Sequence, residues 1–284
     1  MITKSDLLKS NHLVLQDIEN KQLSIQFSLD GFSFCITAID LNEIIAFRKY
    51  TFTNKTRSTN SLLENIKTIF NEDTTLHESF TKVLVIHVND LSTFVPKPLF
   101  KEREIANYIK FNTQIFTSDY FTYDEIKSQE MVSVFAPYIN VNNFLIDRFG
   151  GFEYKHFSSV LVENLMNTYA ENNNINFFVN VAKSHFEIII SNHKKLLLYN
   201  TFNYKTKEDF IYYILFTIEQ LKLNVEEVSL ILLGNIKKDD ELYTIAYKYI
   251  RNVSFLDDKL AKTTILQINE TVKRENFSLL HAIS

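Results

Sequence analysis

Hydrophobic and polar positions alternate with a period of two along residues 23–27 and again along residues 32–36. Leu23, Ile25 and Phe27 stand against Ser24, Gln26 and Ser28, and Phe32, Phe34 and Ile36 keep the same spacing. Such alternation marks strands with one face in a core. A shift of 154 positions lays Phe177, Val179 and Val181 over the first apolar set, and Phe186, Ile188 and Ile190 over the second. A register kept through two strands points to an internal repeat. The wider pattern predicts three strands within residues 23–52, a helix over 60–71 and a strand at 82–88. It predicts the same order again in 176–202, 206–221 and 228–233.

Local punctuation agrees. Asp30-Gly31 between apolar runs is a hairpin signal, because such a turn needs positive φ. Lys183-Ser184 occupies the matching place and is a poor turn by the same rule. Ser61 to Glu64 has the spacing of a capping box and opens a face of Leu62, Ile66 and Ile69. Thr206 to Asp209 opens the other helix, with Phe210, Ile214, Ile218 and Leu221 on one side. Residues 83–86 and 230–233 are continuous apolar runs, which suit central strands covered on both faces.

Between the copies, Pro96 and Pro98 end one element and a helix is expected over 101–112. Strands follow at 120–123 and 131–135, then a helix at 141–149 stopped by Gly150-Gly151 and a strand at 152–156. This is the pattern of a small α+β subdomain, and a helix at 159–169 leads out of it. The expected division is an N-terminal segment at 1–22, a first half at 23–90, an insertion at 91–157 and a second half at 158–284.

Two β-β-β-α-β units in one chain resemble the duplicated ribonuclease-H-like fold of the actin-like ATPases. The stretch from Phe94 to Pro98, followed by Glu102 to Ile109, is similar to the entry into the inserted subdomain of the PilM branch, and more distantly to the FtsA branch. The stretch from Asn200 to Phe210 is similar to an uncharacterised bacterial family of unknown function that is itself regarded as actin-like. The resemblance implies an α/β fold, a duplicated ribonuclease-H-like fold with a small α+β insertion between the halves. It also implies a nucleotide held between those halves.

The nucleotide motifs that the resemblance implies are thin. In the first phosphate loop Asp30 would hold hydrated magnesium, with Gly31 and Ser33 toward phosphate. An ordinary hairpin turn accounts for the same residues. The second loop is expected to carry an Asp, a Gly and a Ser or Thr, and supplies only Ser184, with Lys183 beside it. The adenosine-binding turn is expected to be Gly-rich and supplies Gly234, followed by Asn235. The chain has only 4 glycines, where average usage of about 7% would give roughly 20. Phosphate loops use glycine so that backbone N–H groups can approach the ligand. Loss of these groups removes transition-state stabilisation first and affinity soon after.

Composition narrows the rest. A net charge of −4 gives no basic field for nucleic acid, and no apolar run reaches the roughly 18–20 residues of a membrane span. Residues 1–20 lack the apolar stretch of a signal peptide. The single Cys35, in an apolar strand, reads as a buried hydrophobe. His87 reads as a core or strand-end histidine. His185 and His193 show no Cys or carboxylate partner at ligand spacing, so no metal site is expected. Aromatics at strand and helix spacing read as core. The expectation is a degenerate, non-catalytic actin-like scaffold in the cytoplasm that binds an unknown protein partner, with no cofactor and with homodimerisation open. The alternative is an actin-like ATPase with atypical loops that binds ATP and magnesium. A sugar or acetate kinase relative needs an acidic base, and no residue stands out for that role.

Overall fold

The structure is a computed structural model and describes residues 2–9, 18–53, 58–110, 120–169, 175–257 and 268–282. It divides into two compact units. One holds the described residues up to 163 together with 268 and 278–282; the other holds 164–169, 175–257 and 269–277.

In the first unit, β2 (Lys21–Ser28), β3 (Gly31–Ala38) and β4 (Glu43–Phe52) form an antiparallel meander. Helix α1 (Thr59–Glu72) follows, and β5 (Lys82–His87) then returns parallel to β2. Helix α3 (Ile139–Phe149) leads to β9 (Glu153–His156), which lies parallel to β5. The sheet order is β4-β3-β2-β5-β9, with β1 (Ile2–Lys9) added antiparallel outside β4. Leu23, Ile25, Phe27, Phe32, Phe34 and Ile36 pack against Leu62, Ile66 and Ile69 of α1 and against Val141 and Leu145 of α3. Each such side chain, fully buried, contributes about 1.5–3 kcal/mol. The other face of β2 and β3 is polar and bonds the end of the chain. Gln22 Nε2 and Ser24 Oγ donate to the Ala282 carbonyl at 2.8 and 2.9 Å, and Cys35 Sγ lies 3.4 Å from the Leu279 carbonyl. Burial pushes the Cys35 thiol up to about 12, so it stays protonated.

Helix α4 (Phe157–Thr168) carries the chain out of β9, and the second unit repeats the scheme. Strands β10 (Ile175–Val181), β11 (His185–Asn192) and β12 (Lys195–Asn203) form the meander, followed by α5 (Lys207–Gln220). Then come β13 (Ser229–Gly234), α6 (Glu241–Tyr249) and β14 (Asn252–Phe255), in the order β12-β11-β10-β13-β14. The 154-residue shift is kept in the pairing: Leu23 faces Ile36 as Phe177 faces Ile190, and Phe27 faces Phe32 as Val181 faces Phe186.

Two helix expectations are corrected, and the sheets draw two boundaries differently from the expected division. The first repeat includes α3 and β9, so the insertion is narrower than 91–157. It comprises β6 (Ser92–Pro96), α2 (Ile105–Lys110), β7 (Thr122–Ile126) and β8 (Met131–Phe135), in a sheet of order β6-β8-β7. The N-terminal segment 1–22 supplies β1 and the start of β2. The helix expected over 101–112 is a 3-10 turn at Glu102–Glu104 followed by α2, and 111–112 lie outside the described residues. The first capping box is Ser58 with Ser61, one turn earlier than Ser61 with Glu64, whereas Thr206 and Asp209 cap α5 reciprocally as expected.

The turn between β11 and β12 has a cost built into it. His193 and Lys194 both take positive φ, 47° and 69°, a turn geometry that favours Asn-Gly. Replacing His193-Lys194 by Asn-Gly is expected to stabilise the second unit by about 1 kcal/mol, read as a higher urea midpoint at unchanged slope. An unchanged midpoint would contradict this.

Candidate functional site

Asp30 and Gly31 lie at the hairpin between β2 and β3, with Asp30 exposed. The Asp30 N–H donates to Ser28 Oγ at 3.1 Å, and its carbonyl accepts from the Phe52 N–H at 2.9 Å. Neither residue has the positive φ that the turn rule anticipated. Gly31 is needed for another reason: a Cβ there would sit 2.6 Å from the Tyr50 carbonyl oxygen of β4. Ser33 is not in the turn. It lies two residues into β3, buried and paired with Gln26 across the strands.

In the second unit Lys183 and Ser184 lie in the link from β10 to β11, while Gly234 ends the parallel neighbour β13 and Asn235 follows it. All four gather at the carboxyl ends of β10 and β13, where α/β sheets commonly bind ligands. Their backbone is engaged internally. The Ala182 N–H donates to the His185 carbonyl at 2.9 Å, and the Ala182 carbonyl accepts from Tyr204 Oη at 2.8 Å. The Ser184 carbonyl accepts from the Tyr204 N–H at 3.1 Å. The Asn235 N–H donates to the Val181 carbonyl at 2.6 Å, and the Ile236 N–H to the Gly234 carbonyl at 3.0 Å. Gly234 takes φ +82°, and a Cβ on it would meet the Val181 carbonyl oxygen at 2.3 Å. Packing against β10 is by itself enough to require a glycine here.

Beside these turns stands a polar group that no sequence motif marks. Glu187, buried on β11, accepts from Asn180 Nδ2 at 2.8 Å and lies 3.4 Å from His185 Nε2. His185 thus has a carboxylate two residues on, contrary to the expectation of none. Its sequence signal is a charge inside the apolar run Phe186-Glu187-Ile188. The 154-residue shift maps Asn180 and Glu187 onto Gln26 and Ser33, and Gln26 Oε1 is buried with no hydrogen-bond partner among the described residues. Among the described residues no group of three or more His, Cys, Asp or Glu could hold a metal ion.

A second polar group lies in the first unit. His87 and His156 are register partners at the carboxyl ends of β5 and β9. His87 Nδ1 accepts from the Tyr138 N–H at 3.2 Å, so its Nε2 carries the proton and donates to Asn142 Oδ1 at 3.0 Å. His156 Nδ1 accepts from the Ser158 N–H at 3.2 Å, and Nε2 donates to the Asn89 carbonyl at 3.1 Å. Burial pulls His87 down to about 3, helped by the neighbouring His156, against the Asn142 bond. Burial likewise pulls His156 down to about 4. Asp124 of β7 accepts from the His156 N–H and from Ser159 Oγ, both at 2.7 Å. Burial outweighs these bonds and pushes Asp124 up to about 7. These groups tie the insertion to the first sheet, as structural histidines do.

Likeness to known proteins decides the family. The family model described as "Protein of unknown function (DUF3822)" matches residues 10–253. The chain belongs to this family. A protein of Bacteroides thetaiotaomicron VPI-5482, with actin-like ATPase fold and unknown function, matches it with a TM-score of 0.80 at 24% identity, covering 95% of this chain and 100% of that one. A chain of the PilM–PilN type IV pilus biogenesis complex matches with a TM-score of 0.58 at 11% identity, covering 91% of this chain and 96% of its own. A comparison with curated protein sequences gives no match. This DUF3822 protein therefore has the actin-like ATPase fold, a duplicated ribonuclease-H-like α/β architecture with a small α+β insertion.

Proposed function

We propose that this DUF3822 protein is a non-catalytic actin-like protein, a cytoplasmic scaffold that binds a protein partner. The observation that carries this reading is the engagement of backbone donors at the turns. The N–H groups of Asp30, Ala182, Asn235 and Ile236 are bonded within the chain. Phosphate loops depend on such groups pointing at the ligand. The residues at these turns fit magnesium-ATP poorly on that count, and Gly234 is filled from within by β10. Support for a partner role comes from the PilM–PilN complex, in which a chain of this fold is assembled with another protein. No helix among the described residues is long and apolar enough to cross a membrane.

The second reading, an ATPase with atypical loops, draws on Asp30 and on the buried Glu187 beside the second turn. Titration calorimetry with magnesium-ATP and with ADP separates the two. The scaffold reading expects no heat up to millimolar nucleotide. Micromolar binding that disappears in a folded Asp30→Ala variant overturns it.

A further inference from the structure

Helix α5 carries an aromatic pair that its core does not use. Tyr212 is 60% and Phe216 42% exposed, although aromatics at helical spacing read as core from sequence. Leu221, expected on the core face, is also 37% exposed. The two rings stack at 6.1 Å with 18° between their planes. Tyr212 sets its edge on Tyr213 at 5.3 Å, and Tyr213 stacks on Phe202 of β12 at 4.7 Å. The exposed pair is therefore the outer end of a ladder of ring contacts rooted in the core, which lowers the entropic cost of ordering it on binding.

Charge frames the pair. At about 100° per residue, Glu208, Tyr212, Phe216 and Glu219 fall within roughly 80° of one helix face. Glu208 and Glu219 are both exposed, and neither carboxylate has an ion-pair or hydrogen-bond partner among the described residues. They stand about 16 Å apart along the helix. The nearby Lys207 is turned to Glu241 at 3.3 Å, and Lys205 and Lys222 lie beyond the ends of the strip. Two stacked rings between two unpaired carboxylates suit a segment that sets an apolar residue on the rings and a cation beside each acid.

We propose that the α5 strip Glu208–Tyr212–Phe216–Glu219 is a docking site for a partner protein segment in which Lys or Arg residues about 16 Å apart bracket an apolar residue. This deepens the scaffold reading and rests on it. The apolar residue would cover the Tyr212–Phe216 pair, as hot-spot anchors do, while the cations meet the carboxylates at the rim.

The test is selection of a random 16-residue peptide library on the full chain, followed by synthesis of the enriched peptides. The expected peptides carry the basic–apolar–basic pattern. Their affinity should fall at least tenfold in Tyr212→Ser/Phe216→Ser, and about threefold to tenfold in Glu208→Gln/Glu219→Gln, whose changes leave the apolar surface intact. Binding should also weaken as salt rises. Enriched peptides that bind wild type and both variants equally would overturn the strip and leave the scaffold reading standing. Enrichment of no peptide would overturn the strip as well. So would self-association of the wild-type chain in sedimentation that Tyr212→Ser/Phe216→Ser abolishes, since a second copy would then cover the face. The scaffold reading fails separately, by nucleotide calorimetry.

Discussion

Replacing Gly234 by alanine is expected to destabilise the protein by about 4 kcal/mol and to lower its melting temperature by about 10 °C. Backbone strain and steric overlap act together. Gly234 sits at φ +82°, a region that costs an L-residue roughly 1–2 kcal/mol. The overlap costs more than the strain. The new Cβ would lie 2.3 Å from the Val181 carbonyl oxygen, 2.7 Å from the Val181 nitrogen and 2.8 Å from Asn180 Oδ1. Two of these atoms are backbone of the neighbouring strand and cannot rotate aside. Relief requires β10 and β13 to part at their carboxyl ends, which breaks the bond from the Asn235 N–H to the Val181 carbonyl and loosens the Asn180–Glu187 pair. Gly151 is the control. It has open space around it, and Gly151→Ala should stay within about 0.5 kcal/mol of wild type. Equal melting of the two variants would mean that the turn after β13 is far softer than its geometry implies.

The same turn shows what a sequence can and cannot reveal. Gly234 is visible as a glycine after an apolar run, and that run is indeed a central strand. Its purpose is not visible, because a glycine reserved for a phosphate and one reserved for the next strand read alike. Gly31 repeats the lesson, since the Tyr50 carbonyl that forbids a side chain there is 19 positions away in sequence. The paired strands were legible because their one-sided burial imposes a period of two, twice over, with one shift. Strand β1 was not, since Thr3, Lys4 and Ser5 are exposed on an edge and carry no alternation. Strand β9 is four residues long and mostly half-exposed. Only its pairing with β5 assigns it to the first sheet instead of the insertion. Glu187 shows in the sequence only as a charge inside an apolar run, and its pairing with Asn180 is set by the register of β10 and β11. Tyr212 and Phe216 have the spacing of a core face, and only their exposure distinguishes them.

Stability should fall on acidification from pH 7 to pH 4 by about 3 kcal/mol, and by about twice that in Asp124→Asn. The direction follows from three buried groups in the first unit. In the unfolded chain the two histidines titrate near 6.5, whereas in the fold His87 does so at about 3 and His156 at about 4. Between those limits the unfolded state holds protons that the folded state lacks, so stability is lost as pH falls through the window. The hydrogen bonds agree: each Nδ1 accepts a backbone N–H, and protonation would turn that acceptor into a donor facing a donor. The loss is of order 6 kcal/mol by pH 4 for the pair. Asp124 acts in the opposite sense. Its folded pKa of about 7 stands above the ordinary 3.8, so the folded state takes up a proton first and gains about 3 kcal/mol over the same interval. Asparagine cannot take up that proton, and the variant should show the histidine loss nearly undiluted. Asp73 enters only below this range. Burial opposes its charge, but bonds from Arg48, Tyr50 and Thr75 outweigh burial and hold it at about 2, so its contribution is lost between about pH 4 and pH 2. Urea unfolding at pH 7, 5.5 and 4 on wild type and Asp124→Asn measures both the histidine loss and the Asp124 gain. Parallel curves for the two proteins would place a charged Asp124 in the fold, and a flat wild-type curve would mean that the histidine pair does not govern acid stability.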